Sequence, residues 1–564
     1  MTVRRDGAFA ALGALCALLV WPWAHAFAAW VPFVGALGGV GYGRMQTHKD
    51  TGLLDRMMTS AALAIPMWLA LDVIVVPLAA GHAPAWTANG MRAAIGAWIG
   101  WTFFACALSA TSGTVWRMLP DAKAESRGNA RPPLRVVIVG GGFAGMTAAF
   151  ELERALGADR SLALTLVSRT NALLFTPMLA EVAGSSIEPT HISSPLRSSL
   201  RRTEVVRASV GAIDLARRQI VLLPEADADP DSDVDSGRSI EYDHLILALG
   251  SVSNFFGSDE IRTVALEFKS LADAIAIRNR AIAQVERADR ERDATRKQRI
   301  LTFVVAGGGF AGIELAGALN DFVRGIVADY PNLRADDVRV IVVHSRARVL
   351  PELSASLATY AIERMRERGV AFRLATRVAG ATPYAVVLEP SETIASETLI
   401  WTAGTAPHPL LATLDLARDA RGAVVVAGTL AVPGCSGVWA LGDCAAIPSG
   451  EAGATYPPTA QHALREAKTL ARNVLASTRG EPLAPFAFRS LGSLCVIGHQ
   501  LACAEICEPV TGRTLRFAGV FAWILWRAIY LAKLPGTDRK VRVLVDWVVE
   551  LFFPRDTVQT IDIA

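Results

Sequence analysis

The six residues GGGFAG occur at positions 140–145 and again at positions 307–312. Each copy follows an apolar run that ends in glycine, LRVVIVG in the first case and ILTFVVAG in the second, and each opens an Ala-rich pattern of helical period. An apolar strand, a glycine turn and a helix in this order are typical of a βαβ unit. Beyond residue 134, short Val, Ile and Leu runs alternate with helical patterns, which indicates parallel sheets. The repeat therefore predicts an α/β chain with two Rossmann-like domains.

The glycine spacing in both copies matches the GxGxxG pattern of dinucleotide sites. The first glycine makes a tight turn, the second lets backbone approach a pyrophosphate, and the third lets the helix pack on the strand. Two copies suit two dinucleotides, a flavin that stays bound and a nicotinamide that exchanges and delivers a hydride. A glycine-rich turn without a ligand is the alternative interpretation. The candidate contacts are Gly140, Gly142, Phe143, Ala144 and Gly145 in the first copy, and Gly307, Gly309, Phe310 and Gly312 in the second.

The first 120 residues differ in character from the rest. Residues 7–43 carry no Asp, Glu, Lys or Arg, and two further apolar segments follow at 57–80 and 93–116. Their lengths predict roughly four membrane spans, and the Lys and Arg residues beside them place both ends of this region in the cytoplasm. A signal peptide that ends at Ala24-His25-Ala26 is the competing interpretation.

Asp72 lies in the middle of the predicted span 57–80. An ionisable group within a bilayer is costly and often functional. The alternative is a protonated or hydrogen-bonded carboxyl that packs against Ser109, Thr111 or Ser112 of the next helix. The sequence leaves both open.

Composition excludes some classes of function. The formal net charge of +3 is too small to predict nucleic-acid binding. The seven cysteines form no CxxC pair and no metal-ligand array. That pattern predicts a reduced compartment, no thiol chemistry and no metal site.

From residue 134 to the C-terminus the chain resembles the type II NADH dehydrogenases, the single-subunit, non-proton-pumping NADH:quinone oxidoreductases. The matching segments, in family order, are RVVIVGGGFAGMTAAFEL, LLFTPMLAEVA, YDHLILALGS, FKSLADAIAIRNR, FVVAGGGFAGIELA, LIWTAG, GVWALGDCAAIP and YPPTAQHA. The resemblance implies an FAD domain into which an NAD(P)H domain is inserted. The expected division is 1–120 (transmembrane helices), 121–133 (linker), 134–260 (FAD domain, first part), 261–405 (NAD(P)H domain), 406–480 (FAD domain, second part) and 481–564 (membrane-binding region).

The resemblance implies roles for residues around the flavin. The first glycine set would hold the FAD pyrophosphate, and the second set would hold the nicotinamide dinucleotide. Gly442 and Asp443 match the family position that binds the flavin ribityl chain. Thr176 and Pro177 lie in a loop that approaches the flavin in relatives.

Two further residues are implied to orient the reactants. Glu314 matches a family glutamate near the nicotinamide. Gln461 matches the first glutamine of the family's AQxAxQ quinone-site motif, whereas Arg465 replaces the second glutamine. The quinone pocket is therefore expected to be altered.

The resemblance fails at the end of the strand after each glycine motif, where relatives place an acid that contacts a ribose hydroxyl. The first motif has Ser168 there, followed by Arg169, and a serine can still hydrogen-bond. The second has His344, followed by Ser345 and Arg346. An acid would repel a 2′-phosphate, so its absence and the adjacent donors predict that NADPH is accepted. Alternatively, these side chains point to solvent and NADH still binds through its pyrophosphate.

The C-terminal segments VFAWILWRAIYLAKL and VRVLVDWVVELFF predict two amphipathic helices in a membrane interface, with ordinary core helices as the alternative. The expectation is a multi-pass protein of a bacterial-type inner membrane, with its catalytic domain in the cytoplasm. It would pass electrons from NADH or NADPH through FAD to a membrane quinone. A reductase of a soluble electron carrier and a flavoprotein attached to a transporter or sensor are the alternatives. Lipid and quinone are the expected partners, and a homodimer is left open.

Overall fold

The computed structural model describes residues 11–16, 35–36, 39, 57, 64, 68–83, 95–118, 132–157, 159–223, 238–450, 453–507 and 513–559. Backbone contacts divide the chain into two units. One comprises Met1–Ala124 and Ile524–Val548, and the other comprises Glu125–Trp523 and Val549–Ala564. Every site residue predicted above lies in the second unit.

Helices of three kinds occur in the described ranges. Residues 11–16 are helical. The α-helices with defined bounds are α1 (Val76–Ala79), α2 (Ile95–Met118), α3 (Phe143–Leu156), α4 (Leu179–Ala183), α5 (Leu196–Ser199), α6 (Asp259–Val264), α7 (Leu271–Arg290), α8 (Ala294–Ile300), α9 (Phe310–Ile326), α10 (Ala355–Glu367), α11 (Ala460–Thr478), α12 (Val520–Lys533) and α13 (Thr537–Phe552). A π-helix spans Leu69–Val75, and 3₁₀ turns span Thr176–Met178, Pro189–Ile192, Val327–Asp329, Ala335–Asp337, Pro409–Thr413 and Gly442–Cys444.

The strands belong to two parallel sheets and several smaller ones. They are β1 (Leu134–Val139), β2 (Leu162–Ser168), β3 (Ala172–Leu174), β4 (Ser193–Pro195), β5 (Glu204–Arg207), β6 (Val210–Asp214), β7 (Gln219–Leu222), β8 (Ser239–Glu241), β9 (His244–Leu247), β10 (Ser251–Ser253), β11 (Leu266–Glu267), β12 (Thr302–Ala306), β13 (Arg339–His344), β14 (Val370–Leu374), β15 (Arg377–Thr382), β16 (Ala385–Glu389), β17 (Glu392–Ala395), β18 (Thr398–Trp401), β19 (Thr405–Pro407), β20 (Val424–Val425), β21 (Val438–Ala440), β22 (Ala445–Ala446), β23 (Gly492–Gly498), β24 (Leu501–Cys507) and β25 (Thr514–Gly519).

The first glycine motif follows the central strand of a five-stranded parallel sheet, whose order is β21–β9–β1–β2–β5. Residues 136–139 of β1 are buried, as expected of a parallel strand that is covered on both faces. Helix α3 begins directly after this strand and packs against α11. The glycine turn therefore lies at the carboxyl edge of the sheet, where open α/β sheets bind ligands.

The second glycine motif has the same surroundings. It follows β12, the central strand of a second parallel sheet with the order β11–β18–β12–β13–β14. All five residues of β12 are buried, and α9 begins directly after the turn. The predicted pair of Rossmann-like α/β domains is confirmed.

Within this unit, one strand pairing links the two parallel sheets, and one helix contact brings a third, antiparallel sheet close. Strand β10, which follows the first sheet, pairs antiparallel with β19, which follows the second sheet. Farther along the chain, β23, β24 and β25 form an antiparallel sheet. Helix α9 lies so close to β23 that a Cβ atom on Gly317 would stand 2.7 Å from the carbonyl oxygen of Ile497. A glycine on α9 thus lets this C-terminal sheet approach the second glycine motif.

The predicted all-α transmembrane bundle, and with it the multi-pass inner-membrane location, is wrong. In the described ranges no helix is both long and apolar enough to cross a bilayer. Most of the predicted spans within 7–43, most of 58–67 and the alternative cleavage site at 24–26 lie outside the described residues.

Asp72 has a partner on α2. The indole Nε1 of Trp101 donates a hydrogen bond to Asp72 Oδ2 at 2.6 Å. Burial raises the pKa of Asp72, and the bond from Trp101 opposes that shift. Of the predicted partners, Ser109 and Thr111 donate to carbonyl groups of their own helix. The structure thus matches the hydrogen-bonded alternative, with a different donor.

Candidate active site

The first glycine of each motif occupies a position that a side chain would disrupt. Gly140 has a φ of +113° and Gly307 a φ of +120°, a region that favours glycine. A Cβ atom on Gly140 would lie 2.1 Å from the carbonyl oxygen of Ala248, and one on Gly307 would lie 2.4 Å from Thr402 Oγ1. Both turns therefore press against the residue directly after the neighbouring strand of the same sheet, β9 in the first case and β18 in the second.

In the GxGxxG pattern the second glycine is Gly142 or Gly309, and the third is Gly145 or Gly312. The space around the second glycine differs from that around the third, in the same way in both copies. A Cβ atom on Gly145 or Gly312 would lie 1.9 or 2.0 Å from the carbonyl oxygen of the first glycine. A Cβ atom on Gly142 or Gly309 would meet nothing within 4 Å. The second glycine thus has open space on the side from which a pyrophosphate would approach.

The helices behind the loops begin without side-chain caps. Gly142 and Gly309 are the N-cap residues of α3 and α9, and neither helix has a side-chain hydrogen bond at this end. Phe143 and Ala144 fill the first turn of α3, and Phe310 opens α9. The first backbone N–H groups therefore stay available for an anion, and the helix dipole favours one.

A turn at Gly442–Cys444 lies beside the first glycine loop. Gly442 has a φ of +72°, and its Cβ would stand 3.0 Å from the Cβ of Ala144. Glu466 Oε2 accepts from the Gly442 amide at 2.8 Å, and the Ser251 hydroxyl donates to Asp443 Oδ2 at 2.7 Å. The structure thus brings Gly442 and Asp443 close to the first glycine set.

Glu466 is a buried carboxyl that the sequence analysis did not identify. Its side chain lies on α11, and the residue is only 2% exposed. Burial raises the pKa of Glu466 to about 7, the bond from the Gly442 amide lowers it, and the charge of Asp443 raises it. One feature of the sequence could have revealed this buried acid. Glu466 lies on the apolar face of a helix, three residues after Ala463 and four before Leu470.

The other predicted flavin contacts surround the first glycine loop. Ser168 is buried at the end of β2, and a Cβ atom on Gly141 would stand 2.4 Å from its Oγ. The neighbouring Arg169 is exposed. The turn that contains Thr176 and Pro177 follows Phe175, whose ring lies 5.7 Å from that of Phe143. This aromatic contact holds the turn near the loop.

His344 lies against the second glycine loop instead of pointing to solvent. Its Nδ1 accepts a hydrogen bond from the Gly308 amide at 3.1 Å, so a neutral ring carries its proton on Nε2. The buried Nε2 makes no hydrogen bond within the described part of the chain. Burial lowers the pKa of His344, the charge of Arg346 lowers it further, and the nearby Arg348 backbone opposes the shift. Ser345 and Arg346 are exposed.

Glu314 and Gln461 both form hydrogen bonds with the backbone of β23 or of the residue directly before it. Glu314 Oε1 accepts from the Val496 amide at 3.2 Å. Gln461 Nε2 donates to the Gly492 carbonyl at 3.1 Å, and its Oε1 accepts from the Leu491 amide at 3.3 Å. The two predicted orienting residues thus contact opposite ends of β23, a strand that the sequence analysis did not connect with either of them.

Arg465, the replacement in the predicted quinone motif, stacks on an aromatic ring. Its guanidinium lies 5.3 Å from the ring centroid of Phe488. No hydrogen bond from this guanidinium is found within the described ranges. Its donors thus differ in geometry and charge from the amide of the glutamine that relatives carry.

Comparison with known proteins identifies the family. Residues 134–467 match the family described as pyridine nucleotide-disulphide oxidoreductase, and residues 491–556 match the NDH2 C-terminal domain. The chain is 32% identical to the type II NADH:quinone oxidoreductase Ndh of Mycobacterium tuberculosis, over 76% of this chain and 90% of the relative. It is 27% identical to the internal alternative NAD(P)H-ubiquinone oxidoreductase A1 of Arabidopsis thaliana, over 77% and 87% of the two chains.

A solved structure shares the fold. The NDH2 of Plasmodium falciparum, determined in complex with NADH, matches 75% of this chain and 99% of its own with a TM-score of 0.67 at 17% identity. Together with the matched families and the 32% identical relative, the paired glycine loops lead to one conclusion. The chain belongs to the type II NADH:quinone oxidoreductases, single-subunit FAD-dependent enzymes that pass electrons from NADH to quinone without pumping protons.

Proposed function

We infer that this protein oxidises a reduced nicotinamide dinucleotide and reduces a quinone, with FAD as the resident carrier. The observation that carries this inference is the pair of glycine loops with matching geometry, each at the carboxyl edge of its own parallel sheet. Bound FAD would supply the chemistry of accepting a hydride and passing two electrons on. The protein's part is to hold two dinucleotides in a productive arrangement. The proposal includes the domain boundaries at residues 260, 405 and 480, which separate the two parts of the FAD domain, the NAD(P)H domain and the membrane-binding region.

The residues of the first sheet fit FAD. The open approach to Gly142 and the free amides of α3 suit its pyrophosphate, and Gly140 and Gly145 shape the turn. Asp443, fixed beside this loop, would accept from a ribityl hydroxyl. Ser168 stands where a ribose hydroxyl contact is expected. Thr176 and Pro177 would border the flavin ring from the neighbouring turn.

The residues of the second sheet fit the nicotinamide dinucleotide. Gly309 has the same open approach as Gly142, and α9 offers the same free amides. Glu314 stands one turn into α9 and is anchored to β23 by the Val496 amide. We propose that it orients the nicotinamide side of the site through this anchored position, without acting as a strong acid or base.

The coenzyme choice is proposed to extend to NADPH. No carboxylate ends β13, because His344 occupies that position and its ring is held by Gly308. An acid there would accept from the ribose 2′-hydroxyl and repel a 2′-phosphate. Ser345 and Arg346, both exposed, offer donors to a phosphate instead.

The acceptor is proposed to be a membrane quinone that enters near Gln461 and Arg465. Peripheral membrane contact would be provided by α13, which exposes an apolar face. The exposed members of this face are Val541, Leu544, Val545, Val548, Leu551 and Phe552. Helix α12 instead buries Trp526 and Leu531, so it offers less apolar surface than predicted. Lipid as a partner thus rests on α13, and a homodimer remains a prediction.

Vesicle flotation tests the membrane part. A Val545→Asp, Val548→Asp double variant should bind quinone-containing vesicles less than the wild type, because it places two charges on the exposed apolar face. Arg542→Ala, which changes an exposed residue of the same helix outside that face, is the matched control. Equal flotation of the double variant would contradict the assignment of this face.

Anaerobic mixing tests the reaction. The purified protein is mixed with NADH or NADPH while the flavin absorbance is followed, and a short-chain quinone is then added. We expect bleaching with either coenzyme and recovery of colour with the quinone. Bleaching without recovery would contradict the quinone as acceptor and favour a soluble electron carrier, and bleaching by NADH alone would contradict the use of NADPH.

A further inference from the structure

Two hydrogen bonds link three residues that lie far apart in the sequence. Ser251 begins β10, Lys269 follows β11, and Asp443 lies in the turn after β21. Lys269 Nζ lies 2.9 Å from Ser251 Oγ, and Ser251 Oγ lies 2.7 Å from Asp443 Oδ2. These two hydrogen bonds thus connect the start of α7 with the turn beside the first glycine loop.

The direction of both hydrogen bonds follows from the groups involved. An ammonium only donates, an ionised carboxylate only accepts, and a hydroxyl has one proton to give. Lys269 therefore donates to Ser251, and Ser251 donates to Asp443. This occupies Oδ2 of Asp443, whereas its Oδ1 makes no hydrogen bond within the described ranges. One carboxylate oxygen is fixed by the protein and the other stays available.

Helix stability does not account for a lysine at this position. Lys269 directly precedes Ser270, the N-cap of α7, and the positive end of a helix disfavours a cation. Asp273 Oδ2 already accepts from the amides of Lys269 and Ser270, at 2.9 and 2.7 Å, without using the ammonium. The lysine therefore needs another reason to be there.

The surroundings of the ammonium supply that reason. Burial lowers the pKa of Lys269, and the charges of Asp443 and Glu267 raise it. The side chain makes one hydrogen bond within the described part of the chain, to Ser251, out of the three that an ammonium can donate. A largely desolvated cation is retained where it serves an anion, and Asp443 is the anion that the hydrogen bonds reach.

We propose that Lys269 is a positioning residue for FAD, which acts through Ser251 to fix Asp443 with its Oδ1 turned to the ribityl chain. The inference rests on the proposed function, because Asp443 meets a ribityl chain only if the first glycine loop holds FAD. Both Lys269 and Ser251 stand in segments that resemble the family, but their positions in the sequence indicate no role for either. Their connection is visible only in the folded chain.

The test compares four single variants and one double variant of the full-length protein. Lys269→Met removes the ammonium and keeps the length, Ser251→Ala removes the relay hydroxyl, and Lys269→Arg keeps a donor. Lys468→Met, on the exposed side of α11, is the matched control. The dissociation constant of FAD and the melting temperature of FAD-free protein are measured for each, together with the Lys269→Met, Ser251→Ala double variant.

Both relay variants should weaken FAD binding by about 10- to 100-fold, the range for a hydrogen bond to a charged group. Because both substitutions interrupt the same relay, the double variant should bind FAD no more weakly than the more affected single variant. Lys269→Arg should stay within about threefold of the wild type, since arginine can donate to the same hydroxyl. The control and all melting temperatures of FAD-free protein should be unchanged.

Several outcomes would overturn the inference. Wild-type FAD affinity in Lys269→Met would do so directly. Additive losses in the double variant would show that the two residues act independently. A lower melting temperature of FAD-free Lys269→Met that arginine does not restore would show a purely structural role. A wild-type protein that binds no FAD would overturn the proposed function as well, so the two failures are distinguishable.

Discussion

The two glycine loops share six residues and one backbone geometry, but different side chains cover them. Ser168 approaches the first loop at Gly141, whereas the His344 ring accepts a hydrogen bond from the second loop at Gly308. The glycines set the turn in both places, because their positions exclude a Cβ atom or leave it in open space. The residue at the strand end is therefore where two otherwise equivalent sites can differ in their ligand.

The largest effect is expected from Gly142→Val. Gly142 has extended backbone angles and open space around its missing Cβ, so valine fits the turn but fills the approach to the amides. We expect FAD binding to weaken by at least about 100-fold, since several amide–phosphate hydrogen bonds are lost, and quinone reductase activity to disappear. The ratio of flavin to protein after purification measures this, and a full flavin content would contradict the assignment of the first loop.

Gly309→Val is the matched change in the second loop, where backbone angles and open space are the same. Here the flavin should stay bound, and KM for the nicotinamide coenzyme should rise about tenfold or more, because the lost amide contacts are with the coenzyme. Steady-state kinetics with a measured flavin content provides the check. If Gly309→Val loses flavin and keeps KM, the two loops have been assigned the wrong way round.

His344→Glu tests the difference between the strand ends. A glutamate would accept from the ribose 2′-hydroxyl and repel a 2′-phosphate, so the ratio of kcat/KM for NADPH to that for NADH should fall about tenfold or more. Arg346→Gln, which removes an exposed donor, should lower the same ratio without adding an acid. Competition between the two coenzymes at fixed quinone measures the ratio, and an unchanged value in both variants would place these residues outside the coenzyme site.

The last prediction concerns stability near the first loop, not activity. The pKa of Glu466 is about 7 when folded, above its ordinary value of 4.5, so the folded protein binds more protons between these values. The stabilising contribution of this group is therefore present below about pH 4.5 and is lost as pH rises through about 7. The stability that wild type loses should not be lost in Glu466→Gln, so this variant should be more stable than wild type at pH 8 by about 3 kcal/mol.

Thermal unfolding at pH 5 and pH 8 measures this difference. Glu363→Gln, on the exposed side of α10, is the control for losing one negative charge. A difference between Glu466→Gln and wild type that is the same at both pH values would mean that Glu466 does not titrate in this window.

The sequence located the cofactor loops but not the groups that support them. Strand, turn and helix signals are local, so the glycine motifs predicted both loops and their sheets. Ser251 and Asp443 are 192 positions apart, and Glu314 and Val496 are 182 apart. Such pairs leave no periodic signal, and neither do the hydrogen bonds that join the Gln461 amide to backbone of the C-terminal sheet.

The N-terminal region failed for a related reason. Long uncharged runs predicted membrane spans, but an apolar run is equally what a helix buried within a protein requires. In the described ranges no helix is both long and apolar enough to cross a bilayer, and Asp72 pairs with Trp101.

By itself, the sequence determined the two Rossmann-like domains and their glycine turns, because a missing Cβ atom, a positive φ and an apolar period are properties of the residues themselves. Only the tertiary structure decided that Lys269 reaches Asp443 through Ser251, that Glu466 supports Gly442, and that His344 turns onto its loop. A hydrogen bond requires two atoms within about 3.5 Å, and which distant atoms meet at that distance is settled by packing.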